Sequence, residues 1–241
     1  MRDTLMKRGV ILQPSYIPWR GVFHQIYKSD VFVFYDDVQY DKHGWRNRNR
    51  VKTPNGPAWL TIPVQSKGNV LEHTPINQIH IDWKQLTWPR KHWETIRQTY
   101  SKAPFFKNYA PLVESFYKQK PELLADFTIE TTIAIAKALG IEHTQFVRSS
   151  TLPADGTKTD RLLAIVKNLG ITHYISGPSA KDYLDEAKFK AEGISVEWMV
   201  YDYPPYEQLY PPYEPGVSIL DLLFMTGPRA AEYIWGSPST L

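Results

Sequence analysis

At both ends of this chain, short apolar runs alternate with stretches of helical periodicity, and few arrangements other than a parallel sheet satisfy that order. Val10-Ile11-Leu12 is closed by Gln13-Pro14-Ser15-Tyr16-Ile17-Pro18, whose two prolines end a strand and forbid an immediate helix. Over Arg20–Lys28 the apolar Val22, Phe23, Ile26 and Tyr27 fall at helical spacing. Val31-Phe32-Val33-Phe34-Tyr35 then has the aromatic and β-branched content of a strand buried on both faces. The rhythm returns later: Thr144–Val147 as strand, Lys158–Leu169 as helix stopped by Gly170, Thr172–Ser176 as strand, Asp185–Glu192 as helix stopped by Gly193, and Ile194–Tyr201 as strand. This predicts an α/β fold with a mainly parallel, Rossmann-like sheet, helices on its faces and chemistry at the strand C-termini.

The middle has a different texture. Ala58–Val64 and Gln78–Ile81 read as strands, the first limited by Pro63. Lys84–Tyr100 and Phe105–Gln119 read as helices, and Pro121 opens a third that runs to Leu139-Gly140. Residues 84–140 are therefore expected to form a helical insertion or subdomain in the middle of a single α/β domain spanning 1–241. Five tyrosines and five prolines between Tyr201 and Pro215 exclude a regular helix there. Helices are expected again at Ser218–Met225 and Pro228–Trp235.

Several chemistries are excluded. The chain has no cysteine, which removes disulfides, thiolate nucleophiles and Cys-ligated metal or iron–sulfur sites. Its seven histidines are scattered, with no HExxH, and there is no GxSxG elbow. No metal-ligating set is assigned. No apolar run reaches the roughly 18–20 residues that cross a bilayer, and Met1–Arg8 lacks the apolar core of a secretory signal. The expectation is a cytoplasmic protein with no membrane span.

Charge is concentrated rather than abundant. Net charge is +3, yet residues 42–52 alone carry Lys42, Arg46, Arg48, Arg50 and Lys52 and no acid. Arginines at every second position share a face of an extended segment, and such a row can grip a diphosphate by bidentate hydrogen bonds. Trp45, Arg46, Asn47 and Arg48 are candidate binding residues. A stretch this short, beside Asp36, Asp37 and Asp41, is too small for a long polyanion, so nucleic acid is not the expected partner.

Three further segments fall at predicted strand ends. Gln13, Tyr16 and Trp19 lie where ligands sit in an open α/β sheet, although the glycines of a P-loop or of GxGxxG are missing. His24, one turn into the following helix, is a candidate acid or base. Asp36 and Asp37 are candidate catalytic carboxylates or Mg²⁺ ligands, with Gln39 and Tyr40 beside them as binding residues; strand alternation would send the two carboxylates to opposite faces unless the chain turns. Ser176, Gly177, Ser179, Lys181 and Asp182 form the last group, where a small-residue turn offers donors to a phosphate or carboxylate. Each segment also has a plain reading as packed turn, solvated hairpin or cap.

The runs Ile11-Leu12-Gln13-Pro14-Ser15-Tyr16-Ile17-Pro18-Trp19, Asp36-Asp37-Val38-Gln39-Tyr40, Trp45-Arg46-Asn47-Arg48-Asn49 and Tyr174-Ile175-Ser176-Gly177-Pro178-Ser179-Ala180-Lys181-Asp182-Tyr183-Leu184 together resemble the WbqC-like protein family. Lys91-His92-Trp93, Lys158–Leu163 and Leu220–Phe224 extend the resemblance nearly end to end. It implies a role in bacterial surface polysaccharide biosynthesis, especially O-antigen assembly, among enzymes that modify nucleotide sugars. The leading expectation is a transferase acting on a nucleotide-linked amino sugar, joining an acyl or aminoacyl group from a second substrate to the sugar amine. Arg46, Arg48 and Lys181 would hold phosphate in that scheme, Gln13, Tyr16 and Trp19 would orient sugar or base, and Asp36, Asp37 or His24 would act as base. Two alternatives stand beside it: a nucleotidyltransferase-like enzyme, and a non-catalytic scaffold subunit that uses the Tyr/Pro segment as its contact surface. A homo-oligomer is compatible with any of the three.

Overall fold

A computed structural model describes residues 6–65 and 73–236; Met1–Leu5, part of the stretch read above for a secretory signal, lies outside the described residues. The strands are β1 (Arg8–Leu12), β2 (Val31–Phe34), β3 (Arg48–Thr53), β4 (Gly56–Thr61), β5 (Gln145–Arg148), β6 (His173–Ser176) and β7 (Ser195–Trp198). The helices are α1 (Arg20–Lys28), α2 (Trp88–Tyr100), α3 (Phe106–Phe116), α4 (Leu124–Ala138), α5 (Lys158–Asn168), α6 (Glu186–Ala191) and α7 (Ile219–Thr226).

Five strands form one parallel sheet in the order β5-β2-β1-β6-β7, and β3 and β4 form a separate antiparallel hairpin. This is the Rossmann-like order, in which the chain winds outward from the centre first to one edge and then to the other. Winding reverses between β1 and β6. The crevice beyond the C-terminal ends of that pair is where open α/β sheets take their ligands.

Period-two alternation explains the two layers. Val10, Phe32 and Phe34 face one side, in the same buried cluster as Phe23 and Ile26 of α1, Phe127 of α4 and Leu223 of α7. Ile11, Val31 and Val33 face the other, with Leu162, Ile165 and Val166 of α5 and Phe189 of α6. Strands buried on both faces must be apolar at every position, which is why β2 reads Val-Phe-Val-Phe. Each such side chain contributes roughly 1.5–3 kcal/mol by leaving water.

The three helices between the hairpin and β5 stand within the predicted 84–140 segment, and their Ile96, Tyr100, Val113 and Ile135 share the core of the first sheet face. Two expectations are corrected. Gln78–Ile81 is not a strand: a 3-10 turn covers Ile76–Gln78, and only single bridges, His80 to Leu123 and Val64 to Ile81, follow. Residues 227–233 form a 3-10 helix rather than an α-helix. No helix among the described residues is long and apolar enough to cross a membrane.

The Tyr/Pro segment is irregular, as its prolines require, but most of its tyrosines are not free. Arg20 is buried beneath it, donating to the carbonyls of Pro204 at 3.0 Å and Tyr233 at 3.2 Å and to the Tyr213 hydroxyl at 2.9 Å, with the Tyr203 ring 4.6 Å away. Buried Asp221 of α7 accepts from Tyr206 at 2.8 Å, Gln208 at 2.9 Å and Tyr100 at 3.0 Å. Burial raises the Asp221 carboxyl above its ordinary range, and those three donors offset that only in part.

Candidate active site

The loop leaving β1 is fixed from both sides. Tyr16 is fully buried, with its hydroxyl 2.5 Å from that of Tyr117 and 2.9 Å from His92 Nδ1. Burial raises the Tyr16 phenol well above its usual range and holds the His92 imidazole down to about 4. The Tyr16 amide donates to the Trp45 carbonyl at 3.1 Å. Asn49 Nδ2 donates to the carbonyls of Tyr16 at 3.0 Å and Ile17 at 2.7 Å. Tyr16, predicted to orient a ligand, is thus core, and it locks the loop to the β3–β4 hairpin. Ile17 has φ +39°, a left-handed value that a β-branched residue rarely adopts and that costs about 1–3 kcal/mol.

Above this loop, at the switch point, a cavity of about 620 Å³ opens. Its lining includes the polar Gln13, Ser15 and Gln25, with Ser176 and Ser179 from the end of β6 and the turn after it, and the aromatic Trp19, Tyr35, Trp45, Tyr174, Tyr183 and Tyr201. The hairpin side supplies Arg46, Asn49 and Arg50, and the start of α5 supplies Lys158. Loops distant in the sequence therefore meet at one sheet edge.

The arginines carry the strongest signal. Arg46 Nε and Nη1 and Arg50 Nε are buried with no hydrogen-bond partner, a condition that buried polar groups rarely tolerate without a ligand or water. Burial pushes the Arg46 guanidinium down to about 10, partly offset by Asp41 and Tyr40, so it remains a cation at neutral pH. Arg50 Nη2 donates to the Gly216 carbonyl at 2.6 Å, with Glu214 at 3.8 Å. The β1 loop offers few backbone donors to a phosphate, because Pro14 and Pro18 have no N–H and the Tyr16 amide is engaged. Trp19 also folds over the first turn of α1: a Cβ on Gly21 would lie 2.3 Å from its indole. The guanidiniums of Arg46 and Arg50 are the cationic donors of the hairpin side of the cavity.

The predicted residues separate cleanly by position. Gln13, Trp19, Trp45, Arg46, Ser176, Gly177 and Ser179 line the cavity. Arg48 instead lies 4.6 Å from the Trp59 ring and donates to the His43 carbonyl. Asn47 is buried, donating to the Ile62 carbonyl at 2.9 Å. Exposed Gln39 forms a bridge with Pro75, and the buried Tyr40 amide donates to the Thr74 carbonyl at 2.9 Å. Lys181 sits 5.6 Å from the Trp198 ring, and Asp182 is exposed. His24 Nδ1 is 3.0 Å from the Tyr203 hydroxyl, behind Trp19, and burial lowers its imidazole to about 4.

Asp36 and Asp37 do not diverge. β2 ends at Phe34, the chain turns, and both carboxylates meet at Ser149 Oγ, whose single proton is shared between Asp37 at 2.5 Å and Asp36 at 3.2 Å. Asp36 is fully buried and also accepts from the Ser150 amide at 3.0 Å and hydroxyl at 2.9 Å. Asp37 is ion-paired with Arg161 of α5, and that guanidinium favours the ionised form of the cavity-lining Tyr35 against the effect of burial. Carboxylates so fully engaged by hydroxyls and a cation make a poor Mg²⁺ donor set, and no cluster of three potential ligands occurs among the described residues. Nor do Gly177–Ala180 supply a row of free amides, since Pro178 has none and the Ala180 amide donates to the Gly177 carbonyl at 3.1 Å.

Arg50, Lys158, Tyr35, Tyr183, Tyr201 and Gln25 are lining residues absent from the sequence-based set. The every-second-residue arginine spacing already included Arg50. Lys158 follows from the α5 start meeting the same sheet edge. Nothing local marks Tyr183 or Tyr201.

The profile of the WbqC-like protein family matches residues 13–233. A relative from Mycobacterium tuberculosis, the uncharacterized protein Rv1507c, is 41% identical over 231 residues, which cover 95% of this chain and 98% of that protein. No solved structure matches the chain.

Proposed function

Because this chain belongs to the WbqC-like protein family, we propose that it is a transferase that binds a nucleotide-linked amino sugar in the switch-point cavity and acylates the sugar amine. The supporting observation is the pair Arg46 and Arg50, cavity-lining guanidiniums with buried, unpartnered nitrogens. A diphosphate is the small-molecule group that matches two such forks, and in a site walled by aromatic rings each charge-assisted bond is stronger than in water. The hydroxyl and amide groups of the lining residues Gln13, Ser15, Gln25 and Ser176 suit the hydroxyls of a sugar.

In the reaction the sugar nitrogen attacks the carbonyl of an activated acyl or aminoacyl donor, a C–N bond forms, the donor's leaving group departs and the ammonium proton passes to a base. Tyr35 and Ser176 are the lining hydroxyls suited to donate to the developing oxyanion. Asp37 acts through Arg161 and Tyr35 in this scheme rather than by touching substrate. A role in surface polysaccharide assembly is the context in which such a product is used.

A calorimetric panel of nucleotide sugars, nucleoside diphosphates and pyrophosphate tests the binding step, with Arg46→Ala and Arg46→Lys as variants. The expected result is binding that Arg46→Ala weakens at least about tenfold, in line with losing a charge-assisted pair, while Arg46→Lys keeps part of it. Equal affinity in wild type and Arg46→Ala overturns the proposal. Amide formation from candidate donors and amino-sugar nucleotides, followed by mass spectrometry, tests the chemistry separately.

A further inference from the structure

The outer face of the β3–β4 hairpin is unusual for a solvated surface. Trp45 and Trp59 are 44% and 48% exposed, and their rings are 5.3 Å apart. Arg50 stands directly opposite Trp59 in the hairpin register, with its guanidinium 5.7 Å from the Trp59 ring and 5.8 Å from that of Trp45. Arg48 stacks on the Trp59 ring at 4.6 Å. The opposite face of the hairpin packs Val51 and Leu60 into the core. Two half-exposed indoles backed by guanidiniums present polarised, flat surfaces to solvent.

This patch continues into the cavity. Trp45 and Arg50 belong to both, since each lines the cavity and each contacts the indole platform. A group held on Arg50 is therefore adjacent to the platform. Gln13 and Ser176 stand at the C-terminal ends of the paired strands β1 and β6, whereas Arg50 and Trp59 face each other on the hairpin.

We infer that Trp59, together with Trp45, is a stacking subsite for the nucleobase of the ligand, so that a nucleoside diphosphate binds with its base outward on the hairpin and its glycosyl end toward Gln13 and Ser176. This rests on the anion-binding reading above and adds the orientation of the ligand and a residue, Trp59, outside the cavity lining. Every base has a flat π-face, so the subsite is tolerant of base identity and adds affinity that pyrophosphate cannot gain.

The test compares uridine diphosphate, adenosine diphosphate and inorganic pyrophosphate by titration calorimetry on the full chain, with Trp59→Ala and Trp59→Phe. Both nucleotides are expected to bind about tenfold or more tightly than pyrophosphate, the size of one base stacked on an aromatic side chain. Trp59→Ala removes that advantage without changing pyrophosphate affinity, and Trp59→Phe keeps much of it. Equal binding of nucleotide and pyrophosphate by the wild type, with both lost in Arg46→Ala, overturns the base subsite and leaves the anion reading standing. Binding of none of the three overturns both. A Trp59→Ala variant that changes sedimentation but not the ratio of nucleotide to pyrophosphate affinity overturns the inference and identifies the patch as a contact between copies of the chain.

Discussion

Asn49 holds Ile17 in its strained conformation: the Asn49 amide donates to the Ile17 carbonyl at 2.7 Å, and Ile17 has φ +39°. The same nitrogen also donates to the Tyr16 carbonyl at 3.0 Å, so one hairpin side chain sets the course of the loop beneath the cavity. Asn49→Ala leaves two carbonyls in a buried setting without that donor and releases the loop. The expected cost is about 1–3 kcal/mol of unfolding free energy, measured by urea denaturation, with affinity for pyrophosphate falling in parallel. Unchanged stability would mean that the loop is held by Tyr16 alone.

Gly21→Ala separates stability from shape. Alanine gains about 1 kcal/mol of helix propensity over glycine, but its Cβ would lie 2.3 Å from the Trp19 indole. Trp19 is only partly buried and packs edge-on against Tyr201 with ring centres 5.0 Å apart, so it is free to swing aside. Thermal stability is expected to stay within about 1 kcal/mol of wild type, while tryptophan fluorescence changes and nucleotide-sugar affinity drops. A variant that matches wild type in affinity would remove Trp19 from the binding surface.

How much of this was readable in the chain depended on whether the signal was local. The helix Arg20–Lys28 declared itself by the helical spacing of its apolar residues, and the apolar runs of β1 and β2 because burial on both faces of a sheet demands apolar residues at successive positions. Expecting a cavity at the strand C-termini followed from that order alone. The individual residues did not follow, because each choice turned on tertiary geometry. Asp36 and Asp37 would point apart on a continuing strand, but β2 stops at Phe34 and Ser149, 112 positions beyond Asp37, brings them together. Tyr16 looks like a ligand-facing aromatic until His92 and Tyr117 are seen to claim its hydroxyl. Gln78–Ile81 has strand composition, but its backbone meets Leu123 and Val64 one bridge at a time.

The buried His92 gives the fold a defined acid sensitivity. Its imidazole is held down to about 4 by burial, against an ordinary value near 6.5. Between those values the unfolded chain binds the proton and the folded chain does not, so this contribution is complete above about pH 6.5 and is lost as pH falls toward 4. By pH 4.5 the loss amounts to about 2–3 kcal/mol. Denaturant titrations at pH 7 and 4.5 on wild type and His92→Gln check it: the glutamine variant is less stable at pH 7, and its further decline on acidification is smaller by that amount. Parallel declines in the two proteins would show that His92 titrates normally.

Gly216 is the least conspicuous residue of the cavity and one of the most constrained. Its carbonyl accepts from Arg50 at 2.6 Å, and a Cβ at this position would stand 2.5 Å from Arg50 Nη2 and 3.1 Å from Glu214 Oε1. The nearer clash is with the tip of a flexible side chain, so Gly216→Ala should spare the fold and displace the guanidinium. Pyrophosphate affinity is then expected to fall about tenfold, the scale of one charge-assisted pair. A double-mutant cycle shows whether Arg50 is the route. In an Arg50→Ala background the added alanine at 216 should cost nothing further, because the group it displaces is already gone. Additive losses in the two single variants would show that Gly216 contributes through its own backbone, independently of Arg50.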